Sequence, residues 1–339
     1  MKNPHDVCGE GMLPEDLEPR EYEDDVPLLL SLVIPVCNEE DAIPVFLKKI
    51  NEVFENQKAI LLEMVFVNDG SQDRTLKCLL EQQKKDARIV IIDLSRNFGK
   101  EAALSAGLKF AGGRVVVPLD VDLQDPPELI PVMLEEWRKG YEVVLARRVK
   151  RQEDSWAKRV SAGCFYRIHN TFAMQKLPEN VGDFRLMDKS VVDALNSLPE
   201  SCRFMKGIFA WVGFRRTCID YARPARVAGH TKFSAWRLWN FALEGITSFS
   251  TIPLRIWLYL GASIAFLDFC YGLFILMRTL IFGVDVPGYA SLLVTMLFLG
   301  GLQLIGIGIL GEYLGRNYLE SKHRPIFLVR KIYREQKGA

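Results

Sequence analysis

The chain has 339 residues, of which 49% are hydrophobic, and its formal net charge is +1. This length allows a sizeable core with an appendage, and the near-zero charge gives no basis for nucleic-acid binding. The seven cysteines form no C-x-x-C pair, which predicts free thiols in a reducing compartment and excludes a zinc site or a disulfide framework.

Residues 1–26 are predicted to form a disordered acidic N-terminal tail. The first 25 residues contain nine acidic and two basic side chains and are poor in aromatic residues. Such a segment buries too little apolar surface to offset the entropy lost on ordering it. It also lacks the apolar stretch of a secretory signal.

Residues 27–230 are predicted to form a cytoplasmic α/β domain. Apolar runs rich in Val, Ile and Leu lie at 28–36, 61–67, 89–94, 115–119 and 142–146. They alternate with helical patterns at 42–54, 75–84, 100–110 and 128–139. This alternation is typical of a mostly parallel sheet with helices on both faces. No G-x-G-x-x-G sequence follows the first run, which argues against a dinucleotide-dependent oxidoreductase.

Residues 231–250 are predicted to form an amphipathic helix in the membrane interface. Trp236, Trp239, Leu243 and Ile246 share one helical face. An ordinary core-facing helix is the alternative. The tryptophans and the apolar segments that follow favour the interface, where amphipathic aromatic side chains are enriched.

Two transmembrane helices are predicted next, at 253–281 and 290–314, followed by a basic cytoplasmic tail at 315–339. Residues 291–310 carry no charge, and twenty such residues can cross about 30 Å of hydrocarbon. Basic residues flank this hairpin and are absent from its short link, which predicts that both termini and the α/β domain are cytoplasmic. The glycines at 311 and 315 suit either packing within the hairpin or contact between protomers of a homo-oligomer.

Polar or charged residues follow all five predicted strands, at the edge where an open parallel sheet binds ligands. Asp120-Val121-Asp122 is the most informative of them, because two carboxylates at a strand end can hold Mg²⁺ or Mn²⁺. A D-x-D triplet alone is more often a solvated loop after a strand. Acids also follow the first two strands, and cations follow the third and fifth. This set favours a metal-bound nucleotide diphosphate beside a second anionic group.

These strand ends resemble the signature stretches of family-2 glycosyltransferases with a GT-A fold, at residues 35–39, 68–71 and 120–126. Further stretches are similar to the polyprenyl-phosphate glycosyltransferases, above all the bactoprenol (undecaprenyl-phosphate) glucosyltransferases, at residues 97–100, 182–187 and 311–316. Dolichol-phosphate mannose synthase is a more distant relative. Cys37 stands where such enzymes usually have Tyr or Phe, which puts aromatic packing against the base in doubt.

The resemblance implies inverting transfer of a hexose from a UDP-sugar to undecaprenyl phosphate in the lipid bilayer. Glucose is favoured, and mannose, galactose, N-acetylhexosamines and aminoarabinose stay open. The setting implied is the cytoplasmic face of the bacterial inner membrane, for modification of O-antigen or another cell-envelope glycan. A processive polysaccharide synthase is less suited, because the chain lacks a Q-x-x-R-W sequence and further spans. A non-catalytic membrane scaffold is the other alternative.

The resemblance also implies roles for residues of the donor site. Pro35 and Glu39 would line the nucleotide pocket, and Asp69 would bond to the base. Lys232 would lie on a loop that closes over the phosphates, and Asp120 would contact the nucleotide-sugar by holding the metal against the diphosphate.

The expected metal ligands are Asp120, Asp122 and Gln124, with Mg²⁺ or Mn²⁺ as the cofactor. The two aspartates would be catalytic through the metal, which neutralises charge on the departing diphosphate.

Three cations are expected at the acceptor site by the same resemblance. Arg147, the third expected catalytic residue, would meet the acceptor phosphate, with Lys158 or Arg159 as a second contact. If a protein base takes part, Asp125 and Asp183 are both candidates.

Overall fold

The computed structural model describes residues 27–57, 59–148, 181–200, 203, 205–222, 252–282 and 288–334. The predicted acidic tail, the predicted interfacial helix and three predicted site residues lie outside these ranges: Lys158, Arg159 and Lys232.

The described residues form eight strands and eight helices. The strands are β1 (Leu28–Val36), β2 (Ile60–Asn68), β3 (Ile89–Leu94), β4 (Val115–Pro118), β5 (Val143–Arg148), β6 (Val181–Asp188), β7 (Arg216–Tyr221) and β8 (Val329–Tyr333). The helices are α1 (Ala42–Phe54), α2 (Thr75–Gln83), α3 (Lys100–Phe110), α4 (Leu129–Arg138), α5 (Lys189–Ser197), α6 (Met205–Trp211), α7 (Ile252–Phe282) and α8 (Tyr289–Ser321). The five strands and four helices predicted up to residue 146 are confirmed, with ends that differ by at most two residues.

All eight strands belong to one sheet, in the order β7-β5-β6-β4-β1-β2-β3-β8. Strands β1 to β5 and β7 run in one direction, while β6 and β8 are antiparallel to their neighbours. The predicted mostly parallel α/β architecture is therefore confirmed.

Helices cover both faces of this sheet. Helix α1 buries an amphipathic stripe against one face, at Ile43, Phe46, Leu47, Ile50 and Phe54. Helix α3 packs closely on the other face, where a Cβ on its Gly107 would lie 2.2 Å from Cγ1 of Val33 in β1. This close packing fixes the first turn of α3 beside the carboxyl ends of the central strands.

The C-terminal segment differs from the predicted tail. After α8 the chain returns to the sheet, where β8 pairs with β3. Arg330 forms an ion pair with Asp93 (3.4 Å), and Arg334 forms one with Glu63 (2.9 Å). The basic residues of 315–339 therefore include two that bind carboxylates of the sheet, and a charge count alone could not reveal those partners.

The cysteine prediction is wrong at one position. Cys37, Cys78 and Cys270 are free thiols, but Cys218 on β7 is disulfide-bonded. An odd number of scattered cysteines does not reveal which of them the fold brings together.

Two long apolar helices follow the α/β domain. Among the described residues, one segment, Phe298–Ser321 of α8, has the length and composition to cross a membrane, with a mean hydropathy of 1.4. A crossing by both helices of the hairpin is not confirmed and stays a prediction. The two helices touch where Gly306 faces the indole of Trp257, since a Cβ there would lie 2.0 Å from Nε1.

Gly311 and Gly315 were predicted to pack either within the hairpin or between protomers. In the described part of the chain, neither glycine faces a neighbouring helix. A Cβ at Gly311 or Gly315 would meet no atom within 4 Å. Within the described residues, the packing between the two helices therefore uses Gly306 and neither of these glycines.

Candidate active site

The register of the parallel strands brings their polar ends to one edge. Val36 pairs with Asn68, and Asn68 in turn pairs with Asp93. A cleft of about 320 Å³ opens at this edge, lined by Pro35, Val36, Cys37, Glu39, Asp69, Asn97, Gly99, Lys100, Ala103, Asp120, Val121 and Asp122. The structure thus brings together five predicted site residues: Pro35, Glu39, Asp69, Asp120 and Asp122.

Hydrogen bonds join the loop after β1 to the loop after β2. The backbone N–H of Asn38 donates to Ser71 Oγ (3.0 Å), and Asn38 Oδ1 accepts from the N–H of Gln72 (2.8 Å). The N–H of Glu39 donates to Thr75 Oγ1 (2.8 Å). These bonds hold the Glu39 segment against the start of α2 and fix one wall of the cleft.

Asp69 organises the loop before α3. Its carboxylate accepts the backbone N–H of Phe98 at 2.7 Å and that of Gly99 at 2.9 Å. The predicted bond from Asp69 to the nucleotide base would therefore be a second task for a carboxylate that already positions the start of α3.

Gly70 allows this loop to approach. Its φ is +62°, and a Cβ would lie 2.4 Å from the backbone nitrogen of Asn97. No other residue fits a left-handed backbone at such a distance without moving the neighbouring loop.

Lys100, the first residue of α3, lies between two carboxylates. Its Nζ is 2.8 Å from both oxygens of Asp120 and 3.2 Å from Oδ2 of Asp183 on β6. Partial burial alone would lower the pKa of the Lys100 ammonium, but the two carboxylates raise it above its ordinary value. Burial raises the pKa of Asp120, and Lys100 opposes that effect. The ammonium therefore stays charged and holds the two carboxylates together.

The two candidate bases lie in different surroundings. Asp125 is buried, and its Oδ1 accepts from Tyr221 Oη (2.5 Å) and from Arg148 Nη2 (3.3 Å). Burial and the nearby Asp125 carboxylate raise the pKa of Tyr221 to about 12. Asp183 instead shares Lys100 with Asp120, and both candidates line a small cavity beside Lys100. Of the two candidates, Asp183 is the one that forms an ion pair with Lys100 of the cleft.

The oxygen atoms beside the cleft fit a hard divalent cation in part. Asp120 and Asp122 line the cleft, and the N–H of Gln124 donates to Asp122 Oδ1 (3.1 Å). The side-chain oxygen of Gln124 is buried with no hydrogen-bond partner among the described residues, although Gln124 itself does not line the cleft. The described residues contain no group of three or more His, Cys, Asp or Glu side chains placed to hold a metal. Two carboxylates and an amide oxygen suit Mg²⁺ or Mn²⁺ if substrate phosphates complete the coordination.

Arg147 lies outside this cleft. On β5 its Nε and Nη2 donate to the two oxygens of Asp220 on the neighbouring β7, at 2.5 and 2.8 Å. To contact the acceptor phosphate as predicted, Arg147 would have to bind the phosphate and Asp220 at once, or release Asp220 first.

Cys37 is part of the cleft wall. Its Sγ accepts a hydrogen bond from Nδ2 of Asn97 (3.3 Å). Burial, together with Asp69 and other acids nearby, raises the pKa of the thiol. A small neutral side chain therefore forms this part of the cleft wall.

Sequence reasoning did not assign a role to Lys100 or Tyr221. Lys100 belonged to a stretch quoted for its resemblance, but its pairing with Asp120 and Asp183 arises only when α3, β4 and β6 meet. Tyr221 lies 96 residues from Asp125, its hydrogen-bond partner. No local pattern predicts a contact at that separation.

Comparison with known proteins gives a consistent result. Residues 31–195 match the sequence model of glycosyl transferase family 2. The chain is 53% identical to the bactoprenol glucosyl transferase of Shigella phage SfV, over 89% of this chain and 98% of that protein. It is 51% identical to the prophage bactoprenol glucosyl transferase homolog of Escherichia coli strain K12, over 89% and 99%.

One solved structure illustrates a more distant likeness. Glucosyl-3-phosphoglycerate synthase from Mycobacterium tuberculosis, in complex with Mn²⁺, UDP-glucose and phosphoglyceric acid, is 17% identical. The match covers 65% of this chain and 78% of that one, with a TM-score of 0.45.

Proposed function

The chain belongs to glycosyltransferase family 2, and we propose that it transfers glucose from UDP-glucose to undecaprenyl phosphate at the cytoplasmic face of a bacterial inner membrane. The two relatives named bactoprenol glucosyl transferase, which match nine-tenths of the chain, support glucosyl transfer to a polyprenyl phosphate. The observation that carries the proposal is the acidic cleft in which Asp120 and Asp122 face the first turn of α3.

Donor binding follows from the residues of the cleft. Glu39 and Asp69 lie on the wall formed by the loops after β1 and β2, where the nucleoside would sit. Asp120 and Asp122, with Gln124 behind them, would hold Mg²⁺ or Mn²⁺ against the diphosphate. The metal, when bound, supplies positive charge that stabilises the departing diphosphate. Lys232 would add a cation from a loop that closes over the phosphates.

Lys100 has two tasks in this proposal. Its ammonium keeps Asp120 and Asp183 at a fixed separation before the donor arrives, because it bonds to both carboxylates. Once the donor is bound, it is the cation on α3 nearest the diphosphate. A preorganised cation stabilises developing negative charge without the cost of reorganising at the moment of reaction.

The acceptor needs little help from a base. A phosphate monoester with a second pKa of about 6 is largely dianionic at neutral pH. Its oxygen can attack the anomeric carbon directly, so that a C–O bond forms while the bond to UDP breaks, with inversion. Arg147, with Lys158 or Arg159, would orient that phosphate. Asp125 is bonded to Tyr221 and Arg148, whereas Asp183 is paired with Lys100 of the cleft, which favours Asp183 as the carboxylate that orients the acceptor.

Membrane attachment would place the cleft near its lipid substrate. We propose that α7 and α8 both cross the bilayer, with the segment 231–250 in the interface and both termini in the cytoplasm. At about 1.5 Å per residue, the 31 residues of α7 and the 33 residues of α8 are long enough to span it. The open faces of Gly311 and Gly315 suit contact with a second protomer, which supports a homo-oligomer.

The test is direct. Membranes containing the protein are incubated with undecaprenyl phosphate and with labelled UDP-glucose, UDP-galactose or UDP-N-acetylglucosamine in parallel. We expect label from UDP-glucose to become lipid-extractable, and membranes containing Asp122→Asn to give none. Transfer of another sugar would correct the donor, and no lipid-extractable label from any donor would overturn the proposal.

A further inference from the structure

A second cavity, of about 290 Å³, lies along α3 away from the acidic cleft. Its walls come from α3 (Ser105 and Lys109), from the end of α5 and the residues after it, and from residues 323–327, which follow α8. Lys109 is nine residues after Lys100, which is about 14 Å along the helix. The cavity and the acidic cleft share no lining residue.

Three cations line this cavity, and none of its lining residues is a carboxylate. Lys109, Arg203 and Arg324 form no ion pair within the described part of the chain. Glu200 interacts electrostatically with Arg203, but it is not at ion-pair distance from it and does not line the cavity. Uncompensated positive charge in a concave site favours an anionic ligand.

Two of the three cations, Arg203 and Lys109, contact neighbouring groups. Arg203 donates from Nη2 to the carbonyl of Leu198 (2.9 Å) and from Nε to that of Glu200 (3.3 Å). Lys109 Nζ lies 5.9 Å from the centre of the Phe327 ring. These contacts hold Arg203 and Lys109 beside a space that no carboxylate lines. An anion that binds Arg203 need not order that side chain, so less free energy is lost on binding.

The position of the cavity along the chain indicates the source of that anion. The segment of α8 that can cross a membrane ends at Ser321, and His323 and Arg324 of the cavity follow directly. If α8 crosses the bilayer, these residues lie at the depth of the lipid headgroups. Ile326 and Phe327 give the cavity an apolar wall beside its cations. This step rests on the proposed membrane placement of α8 and not on the proposed sugar transfer.

We infer that this cavity binds the phosphate of an anionic phospholipid, with Lys109, Arg203 and Arg324 as its contacts. A soluble phosphate offers the same chemistry, but the end of a membrane helix and an apolar wall favour a lipid. Basic pockets at the cytoplasmic ends of membrane helices suit anionic headgroups. Binding there would fix the orientation of the α/β domain relative to the bilayer.

The experiment uses the full-length protein in nanodiscs of phosphatidylcholine that contain phosphatidylglycerol. Native mass spectrometry after mild detergent release measures how much phosphatidylglycerol stays bound. The double variant Lys109→Gln/Arg324→Gln should retain it about thirty-fold more weakly, since each cation near an anionic headgroup contributes about fivefold. The single variants should each lose about fivefold, which keeps the test valid if the double variant does not fold.

The matched control is Lys48→Gln/Arg138→Gln. It removes the same two charges from exposed positions on α1 and α4, on the other face of the sheet. This control should retain phosphatidylglycerol as the wild type does. Equal loss in both variants, or no loss in either, would overturn the inference.

Two further measurements distinguish a lipid ligand from a soluble phosphate, and this inference from the proposed sugar transfer. Millimolar inorganic phosphate should not displace the lipid. Displacement by phosphate without any preference for phosphatidylglycerol would show a soluble ligand and contradict the lipid assignment. Binding of UDP to Lys109→Gln/Arg324→Gln should equal that of the wild type, because neither residue lines the acidic cleft. If the wild type transfers no sugar but retains phosphatidylglycerol through these cations, the proposed function fails and this inference stands.

Discussion

The two ends of α3 carry the same residue type in opposite electrostatic settings. At the N-terminal end, Lys100 is bonded to Asp120 and Asp183, with Asp122 on the wall of the same cleft. At the C-terminal end, Lys109 shares a cavity with two arginines and lacks an ion-pair partner among the described residues. The balance of charge around a lysine therefore indicates its ligand. An excess of carboxylates favours a metal-bound nucleotide, and an excess of cations favours a phosphate without metal.

The largest expected effect comes from removing a carboxylate at the N-terminal end. Asp122→Asn should lower kcat for sugar transfer by at least about a thousandfold, because metal stabilisation of the leaving group is worth several kcal/mol. Chelation with EDTA should have the same effect on the wild type. A radiochemical transfer assay measures both. Asp193→Asn, at an exposed carboxylate on α5, is the control and should change kcat by less than twofold. Full activity of Asp122→Asn or of the chelated enzyme would show that the acidic end does not use a metal.

Removing Lys100 should have opposite effects on metal binding and on turnover. Lys100→Met deletes a cation that lies on both oxygens of Asp120, so Mn²⁺ should bind about tenfold more tightly by electron paramagnetic resonance titration. The same variant should lose about a hundredfold in kcat, because one preorganised cation at the diphosphate is missing. Lys100→Arg keeps the positive charge, so its kcat should lie between those of Lys100→Met and the wild type. Unchanged Mn²⁺ affinity together with unchanged kcat would remove Lys100 from the site.

Gly70 supports the acidic end through backbone geometry. Gly70→Ala forces a Cβ to within 2.4 Å of the Asn97 nitrogen at a φ of +62°, and it should destabilise the domain by about 1–3 kcal/mol. Calorimetric UDP binding should weaken, whereas phosphatidylglycerol retention should not change. Gly112→Ala is the control, because its Cβ would meet only Glu63 at 3.5 Å, an ordinary contact. Equal stability of the two variants would mean that the loops move apart at little cost.

Arg147 tests whether a cation outside both sites serves the acceptor. Arg147→Ala should raise KM for undecaprenyl phosphate about tenfold and leave KM for UDP-glucose unchanged. Asp220→Asn frees the guanidinium from its partner in the structure and should raise KM for the lipid much less. Steady-state kinetics with each substrate varied in turn separates the two. A weaker affinity for UDP-glucose in Arg147→Ala would place this residue in the donor site.

The sequence predicted the first half of the fold because its signals are local. Near-continuous apolar strands from Leu28 to Pro118 alternate with helices whose periodicity is clear, and parallel pairing then brings the strand ends together. Strands β6 and β7 were missed because the β6 residues Asp183 and Arg185 and the β7 residues Arg216 and Asp220 interrupt any apolar run. The return of β8 to the sheet was missed because its basic residues look solvated until Asp93 and Glu63 are placed beside them.

The candidate site likewise contains residues that the local sequence predicted and contacts between distant residues that it did not. Asp120 and Asp122 were predicted because both lie at one strand end, with only Val121 between them. The Lys100 contact with Asp183 spans 83 residues, and the Arg203 and Arg324 walls of the second cavity are further apart still. Such contacts depend on how α3 packs against the sheet. The close fit of Gly107 on Val33 sets that packing, and it has no signature in the sequence.

The most direct test of the central claim is transfer by the purified full-length protein in nanodiscs that contain undecaprenyl phosphate. Labelled UDP-glucose is added while Mg²⁺ or Mn²⁺ is titrated, for the wild type and for Asp122→Asn. Glucose should appear on the lipid as a phosphate-linked product in the wild type, in proportion to metal occupancy, and be absent in Asp122→Asn. Metal-independent transfer, or transfer by Asp122→Asn at the wild-type rate, would contradict the claim that the acidic end of α3 is the catalytic centre.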